Sequence, residues 1–335
     1  MCKIEIARSG YTTPSVVYFE STLDRLYTLS DPSGSVVITN PSLASLYAEA
    51  LSGFRVICVP EGEAHKCLSS VEQIHRELLA MGCDRSLQLV GFGGGIITDI
   101  TGFVASTYMR GVRFGFVATS LLAQVDASVG GKNGVNLDGY KNMIGCFNQP
   151  DWVICSTSVL ETLPPRELIA GYAEVIKSGI IRSESLFEMF ERGEIDLSRS
   201  VRESVEIKAR VVENDEKESG ERKLLNLGHT FAHAIEKCSK GRYLHGEAVG
   251  VGMVMASQMA LKLSLTDELT LQRIKRAVEN CGLPTSVDEL SKDDLIKAMT
   301  SDKKRSADSL DFVLPTTIGN AVIRKIEIKD IANIL

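Results

Sequence analysis

Short apolar runs alternate with helix-spaced stretches over the first half of the chain, and the alternation stops near residue 160. Ser35 to Thr39, Phe54 to Val59, Leu87 to Phe92 and Phe114 to Val117 are β-rich runs, and Val71 to Ala80 between them has helical spacing. Such alternation predicts βαβ units and a mainly parallel sheet. Trp152 to Ile154 is the last short apolar run, and Pro164-Pro165 then signals a helix start. Beyond it, Arg166 to Ile181, Ser200 to Val212 and Leu269 to Asn280 repeat their apolar positions at the 3.6-residue period. The expectation is an α/β domain over residues 1–158 and a mostly α-helical domain over residues 159–335.

Composition narrows this picture. A chain of 335 residues with 44% hydrophobic and 24% charged residues has ordinary globular make-up and room for about two domains. Lys and Arg number 37 against 43 Asp and Glu, a net charge of −6, so general basic character for a nucleic-acid partner is missing. The longest apolar uncharged run, Ala248 to Leu261, has 14 residues, which is short for a bilayer and reads as a buried helix. No membrane partner is expected. The N-terminus has no basic-then-apolar signal pattern, and the eight cysteines form no C-x-x-C pair, so the expected location is cytoplasmic and a cysteine nucleophile is not expected.

Candidate chemistry concentrates between Gly91 and Pro150. Gly93, Gly94 and Gly95 follow a strand-like run and precede a helix-like pattern that begins near Asp99. This places backbone N–H groups where an anion such as a pyrophosphate binds, although the spacing is not G-x-G-x-x-G and a plain strand-to-helix turn fits it too. Asn40 stands at the tip of the Ser35–Thr39 run, where nucleotide ligands sit in open α/β sheets. Arg110 and Lys132 lie in glycine-bordered segments without an adjacent acidic residue. Three of the five histidines, His229, His233 and His245, fall within 17 residues. His229 and His233 are spaced i and i+4 and share one helix face, as metal ligands or as structural histidines.

These segments, with PEGEAHK at 60–66, the AEVIK block around Glu174, ENDEKESGERKLLNLGHTFAHAIE at 213–236, HGEAVGVGM at 245–253 and SDKKRSADSLDFVLPTTIG at 301–319, follow one another as in one family. The chain resembles the 3-dehydroquinate synthase family, sugar-phosphate cyclases of the shikimate pathway, from about residue 60 to 320. The resemblance implies a Rossmann-like NAD-binding domain followed by a helical metal- and substrate-binding domain. It implies a Zn2+ site, open to Co2+, on Glu174, His229 and His245, with His233 nearby as a substrate-facing proton carrier.

NAD would lie against Gly93, Gly94, Gly95, Asp99, Thr119 and Ser120, with Asn40, Glu63, Lys66, Asp126, Lys132 and Lys141 also in its shell. Substrate would meet Arg110, Lys132, Asn142, Lys177, Lys208, Arg222, Asn226, His233, Lys303 and Lys304. Asp126, Lys132, Lys177 and His233 would carry the chemistry. The implied reaction converts 3-deoxy-D-arabino-heptulosonate 7-phosphate to 3-dehydroquinate and phosphate through transient oxidation, phosphate elimination, reduction, ring opening and aldol closure. A homodimer with Arg110 reaching the neighbouring site is also implied. Departures are small: Ala118, Ser120 and Ala232 stand where the family commonly has Pro, Thr and Gly. Alternatives are another sugar-phosphate cyclase and a metal-dependent glycerol or alcohol dehydrogenase.

Overall fold

The computed structural model describes residues 2–301 and 308–334. The chain divides into two compact units, Met1–Leu163 and Pro164–Leu335.

In the first unit the strands are β1 (Cys2–Ile6), β2 (Ser15–Glu20), β3 (Ser35–Thr39), β4 (Arg55–Cys58), β5 (Gln88–Gly93), β6 (Arg113–Ala118), β7 (Lys132–Leu137), β8 (Tyr140–Phe147) and β9 (Trp152–Ser156). The helices are α1 (Arg25–Leu29), α2 (Pro41–Leu46), α3 (Leu68–Ala80) and α4 (Gly95–Thr107). Seven strands form one sheet in the order β1-β2-β9-β6-β5-β3-β4, in which only the β1–β2 pair is antiparallel. The runs read from sequence as strands match β3 to β6 and β9.

Every residue of β3, β5 and β9 is buried, as expected for parallel strands covered on both faces. Val37, Val90, Phe92, Val117, Trp152 and Ile154 form one core face, closed by Leu26, Leu51 and Phe54. β7 and β8 form a separate antiparallel hairpin, so Lys132 opens a strand where the sequence suggested a glycine-lined loop.

The second unit contains α5 (Pro165–Arg182), α6 (Glu184–Glu191), α7 (Leu197–Asn214), α8 (His229–Ser239), α9 (His245–Lys262), α10 (Glu268–Asn280), α11 (Lys292–Ser301) and α12 (Ile328–Ile334). It also holds an antiparallel hairpin, β10 (Ser309–Thr317) with β11 (Asn320–Glu327), which the helical periods gave no sign of. The 14-residue apolar run falls inside α9, whose Ala248 to Val254 stretch is fully buried. No helix among the described residues is long and apolar enough to cross a membrane.

Candidate active site

The second unit brings one carboxylate and two imidazoles together. Glu174 lies in mid-α5 and is 1% exposed, His229 opens α8 and His245 opens α9. Glu174 Oε1 lies 3.6 Å from His229 Nε2 and 3.6 Å from His245 Nε2, while Oε2 pairs with Lys177 one helical turn on. One carboxylate oxygen thus faces a cation and the other faces the two rings. One ligand atom from each of the three residues lies within 4.8 Å of the others.

Ligands about 2.0–2.2 Å from a tetrahedral ion are separated by roughly 3.4 Å, so the 3.6 Å spacings fit a zinc-sized ion, and a His2Glu set leaves a fourth position open. Burial, with the neighbouring Lys177 ammonium, holds His229 down at about 3, so this ring is neutral and able to ligate. Burial also lowers His245, but hydrogen bonds to Glu174 and Glu236 outweigh it and hold the group at about 9.

The rings are held from behind. His229 Nδ1 lies 3.2 Å from the Leu227 carbonyl, and His245 Nδ1 lies 3.3 Å from Glu236 Oε1. The first turn of α9 is fixed by Arg166, which donates to both Glu247 oxygens at 2.7 and 2.8 Å, while Glu247 accepts the Leu244 N–H. Gly246 sits so close to α5 that a Cβ there would lie 1.8 Å from the Ala170 carbonyl oxygen. Gly246→Ala is therefore expected to push His245 off its ligand position and weaken metal binding by about tenfold or more, as overpacking against backbone has no cheap relief. Chelator competition on the purified variant checks this; wild-type affinity would refute it.

Of the other predicted groups of this unit, Lys177 and His233 stand beside the triad. Lys177 is 2% exposed, Lys208 on α7 is 8% exposed and Arg222 is 1% exposed. His233 is exposed, with its ring edge-on to His229 at 5.7 Å. Asn226 donates to Glu218 Oε1 at 2.5 Å. Arg222 is positioned by Asp215, which sequence reasoning missed: its carboxylate accepts N–H groups of Gly220, Ser219 and Arg222. These bonds, chiefly that from Gly220, hold the Asp215 carboxyl down at about 2. Lys303 and Lys304 lie outside the described residues.

In the first unit the glycine triplet joins β5 to α4. Gly94 caps the helix, and its first-turn N–H groups have no partner within the helix, which makes an anion-binding end. At Gly93 a Cβ would stand 2.6 Å from Ile97, so only glycine makes this turn. Gly94 and Gly95 back onto Ser120 and Ala127, and Thr119 N–H donates to the Gly93 carbonyl at 3.0 Å. This cradle of bare backbone fits a dinucleotide pyrophosphate.

Lys66 Nζ lies 2.5 Å from Asp99 Oδ2 and 2.6 Å from Asn142 Oδ1. Burial raises Asp99 to about 6 although Lys66 pulls it down. Glu63 accepts from Asn136, whose own Oδ1 receives the Asn142 N–H. Asp126 sits in a π-helical turn, Ala123–Ala127, a distortion that recurs at functional sites. Arg110 and Asn142 both have left-handed backbone, with φ of 69° and 54°. Lys132 and Lys141 are exposed on the β7–β8 hairpin. Asn40 Oδ1 caps α2 by accepting the Leu43 N–H at 2.8 Å, so this oxygen already has a structural partner.

The architecture recurs in solved structures. 2-Deoxy-scyllo-inosose synthase, complexed with carbaglucose-6-phosphate, NAD+ and Co2+, matches with a TM-score of 0.89 and 23% identity over 99% of both chains. 2-Epi-5-epi-valiolone synthase from Streptomyces hygroscopicus subsp. jinggangensis 5008, with NAD+ and Zn2+ bound, matches at 0.88 and 25% identity over 98% of this chain and 97% of its own. Fold and site thus define a cyclase-type enzyme architecture.

In sequence, residues 56–170 match the family described as 3-dehydroquinate synthase N-terminal and residues 171–305 the family described as 3-dehydroquinate synthase C-terminal. The 3-dehydroquinate synthase of Sulfurovum sp. (strain NBC37-1) is 42% identical over 99% of this chain and 97% of its own. That of Campylobacter curvus (strain 525.92) is 44% identical over 90% of each. The chain belongs to the 3-dehydroquinate synthase family.

Proposed function

We propose that the protein is a carbon–oxygen lyase that converts 3-deoxy-D-arabino-heptulosonate 7-phosphate to 3-dehydroquinate and phosphate. The observation that carries this reading is the Glu174, His229 and His245 cluster, with Lys177 paired to Glu174 and with Lys208 and Arg222 buried in the same unit, in a chain of net charge −6. Buried cations need anionic partners, supplied by the chain, as Glu174 is for Lys177, or by a bound ligand. The two anionic ends of the substrate, carboxylate and phosphate, are such groups.

NAD would accept a hydride from a substrate alcohol and later return it, while a zinc ion, or cobalt on the same donors, would polarise that alcohol's oxygen. Support for these cofactors is the glycine cradle at α4, the zinc-sized triad, and the NAD+ and Zn2+ held by the valiolone synthase. Oxidation beside the reacting carbon acidifies the next C–H, and the phosphate C–O bond then breaks with its electron pair leaving on phosphate.

Lys132, Asn142 and Arg110 are assigned to the phosphate, which takes the proton as it departs. Lys208, Arg222 and Asn226 are assigned to the carboxylate and ring hydroxyls. Lys177 and Asp126 are assigned to the reacting carbons, and His233, exposed beside His229, to proton exchange during ring opening and aldol closure.

The chain is further read as a homodimer in which Arg110 serves the neighbouring site. Support comes from the β7–β8 hairpin, where the apolar Leu137, Tyr140, Met143 and Phe147 are 41–65% exposed and available to a second copy. The seven described cysteines are all free, which suits a reducing cytoplasm.

The test is phosphate release from 3-deoxy-D-arabino-heptulosonate 7-phosphate by purified protein with NAD and Zn2+, with the product identified by mass. Cyclic product without net NADH, lost on chelation and restored by zinc, is expected. Activity only with sedoheptulose 7-phosphate or glucose 6-phosphate would assign a different cyclase, and steady NADH formation from simple alcohols a dehydrogenase.

A further inference from the structure

We infer that Glu236 is a positioning residue of the metal site, fixing His245 so that its Nε2 faces the ion. The inference rests on the metal reading above. His229, His233 and Glu236 recur at i, i+4 and i+7 along α8 and therefore share one face. That face supplies one candidate ligand directly. It also supplies the carboxylate behind the other, because Glu236 Oε1 lies 3.3 Å from His245 Nδ1 while His245 Nε2 points to Glu174 at 3.6 Å.

A neutral imidazole that ligates through Nε2 must carry its proton on Nδ1, and an acceptor at Nδ1 selects that tautomer and ring plane. His229 meets the same need with the Leu227 carbonyl, two residues away and held by the chain itself. His245 opens its helix and has no such local acceptor within reach in the hydrogen bonds of the described residues; its acceptor comes from another helix. The Glu236 side chain is only 9% exposed and brings a second carboxylate to the cluster. Glu236 thus adds negative charge beyond the Glu174–Lys177 pair. The excess favours a dication, and the charge on Glu236 makes the ligating nitrogen of His245 more basic.

The test measures Zn2+ affinity by competition with a chromophoric chelator, and the visible absorption of the Co2+ form, in wild type, Glu236→Gln and Glu236→Leu. Glutamine keeps an acceptor without charge and is expected to bind Zn2+ about tenfold more weakly; leucine removes both and is expected to lose about 100-fold. The Co2+ bands should shift in the leucine variant, a change that helix packing alone would not produce. Affinities within twofold of wild type, with unchanged Co2+ bands, would overturn the inference. Should the leucine variant not fold, the glutamine affinity decides alone. A wild-type protein that takes up no Zn2+ would overturn the metal reading itself, and this one with it.

Discussion

Glu174→Ala is expected to abolish zinc uptake and phosphate release and also to destabilise the second unit. The reason for both lies in the two oxygens of one carboxylate. Oε1 faces His229 and His245, so its loss leaves two ligands where a catalytic site needs three. Oε2 pairs with Lys177, which is 2% exposed, so its loss takes a carboxylate partner from a buried ammonium. Breaking a buried pair from one side costs about 3–5 kcal/mol, because the remaining charge has no water to return to.

The two effects separate in a double variant. Glu174→Ala with Lys177→Met removes the buried ammonium together with its carboxylate, so thermal stability should recover much of the loss while zinc content stays near zero. Metal analysis and a melting curve on the three proteins test this directly. Full zinc occupancy in Glu174→Ala would remove the triad as the metal site.

What the sequence made legible follows from which forces act locally. β3, β5 and β9 are buried on both faces, and so appear as unbroken apolar runs. α7 and α10 bury one stripe, and so carry the helical period, whereas α5 is buried all round from Ala173 to Ile181. The two small hairpins carry neither signal. β8 is exposed along most of its length, and β10 contains Asp311 and Pro315. Their turns were nonetheless written in the chain: Asp138-Gly139, with φ of 49° and 81°, is a strong hairpin pair, and Gly319 at φ 86° precedes Asn320.

Within the site, the histidines stood out because only five occur. Glu174 is one of 43 acidic residues, and only the family resemblance singled it out. Glu236 and Asp215 were passed over for the same reason. The partner of Glu236 sits on the next helix, and Asp215 acts on backbone groups up to seven residues away. Their roles arise from tertiary contact and loop closure, which no local period records.

Lys66→Met is expected to lower NAD affinity at least tenfold and to make stability more sensitive to pH. Lys66 is 5% exposed and joins three pieces of chain: its carbonyl accepts the Asn136 N–H, and its ammonium holds Asp99 on α4 and Asn142 on β8. Asn142 keeps a left-handed backbone there, so losing one of its anchors frees a residue assigned to the phosphate.

The pH effect follows from Asp99. Burial puts its folded pKa at about 6, above the unfolded value of about 3.9, so its protonated form favours the native state. The associated stability is fully present below about pH 4 and is lost as pH rises through about 6. Without Lys66 nothing nearby offsets burial to the same degree, the folded value climbs further, and the loss continues above pH 7. The stability gap between wild type and variant should therefore widen from pH 5 to pH 8, by about 1.4 kcal/mol for each unit that Asp99 rises. Calorimetric NAD titration at pH 7.5 and melting curves across that range decide it. A constant gap with unchanged NAD affinity would mean that Lys66 is an ordinary buried cation and that the nucleotide end lies elsewhere in the first unit.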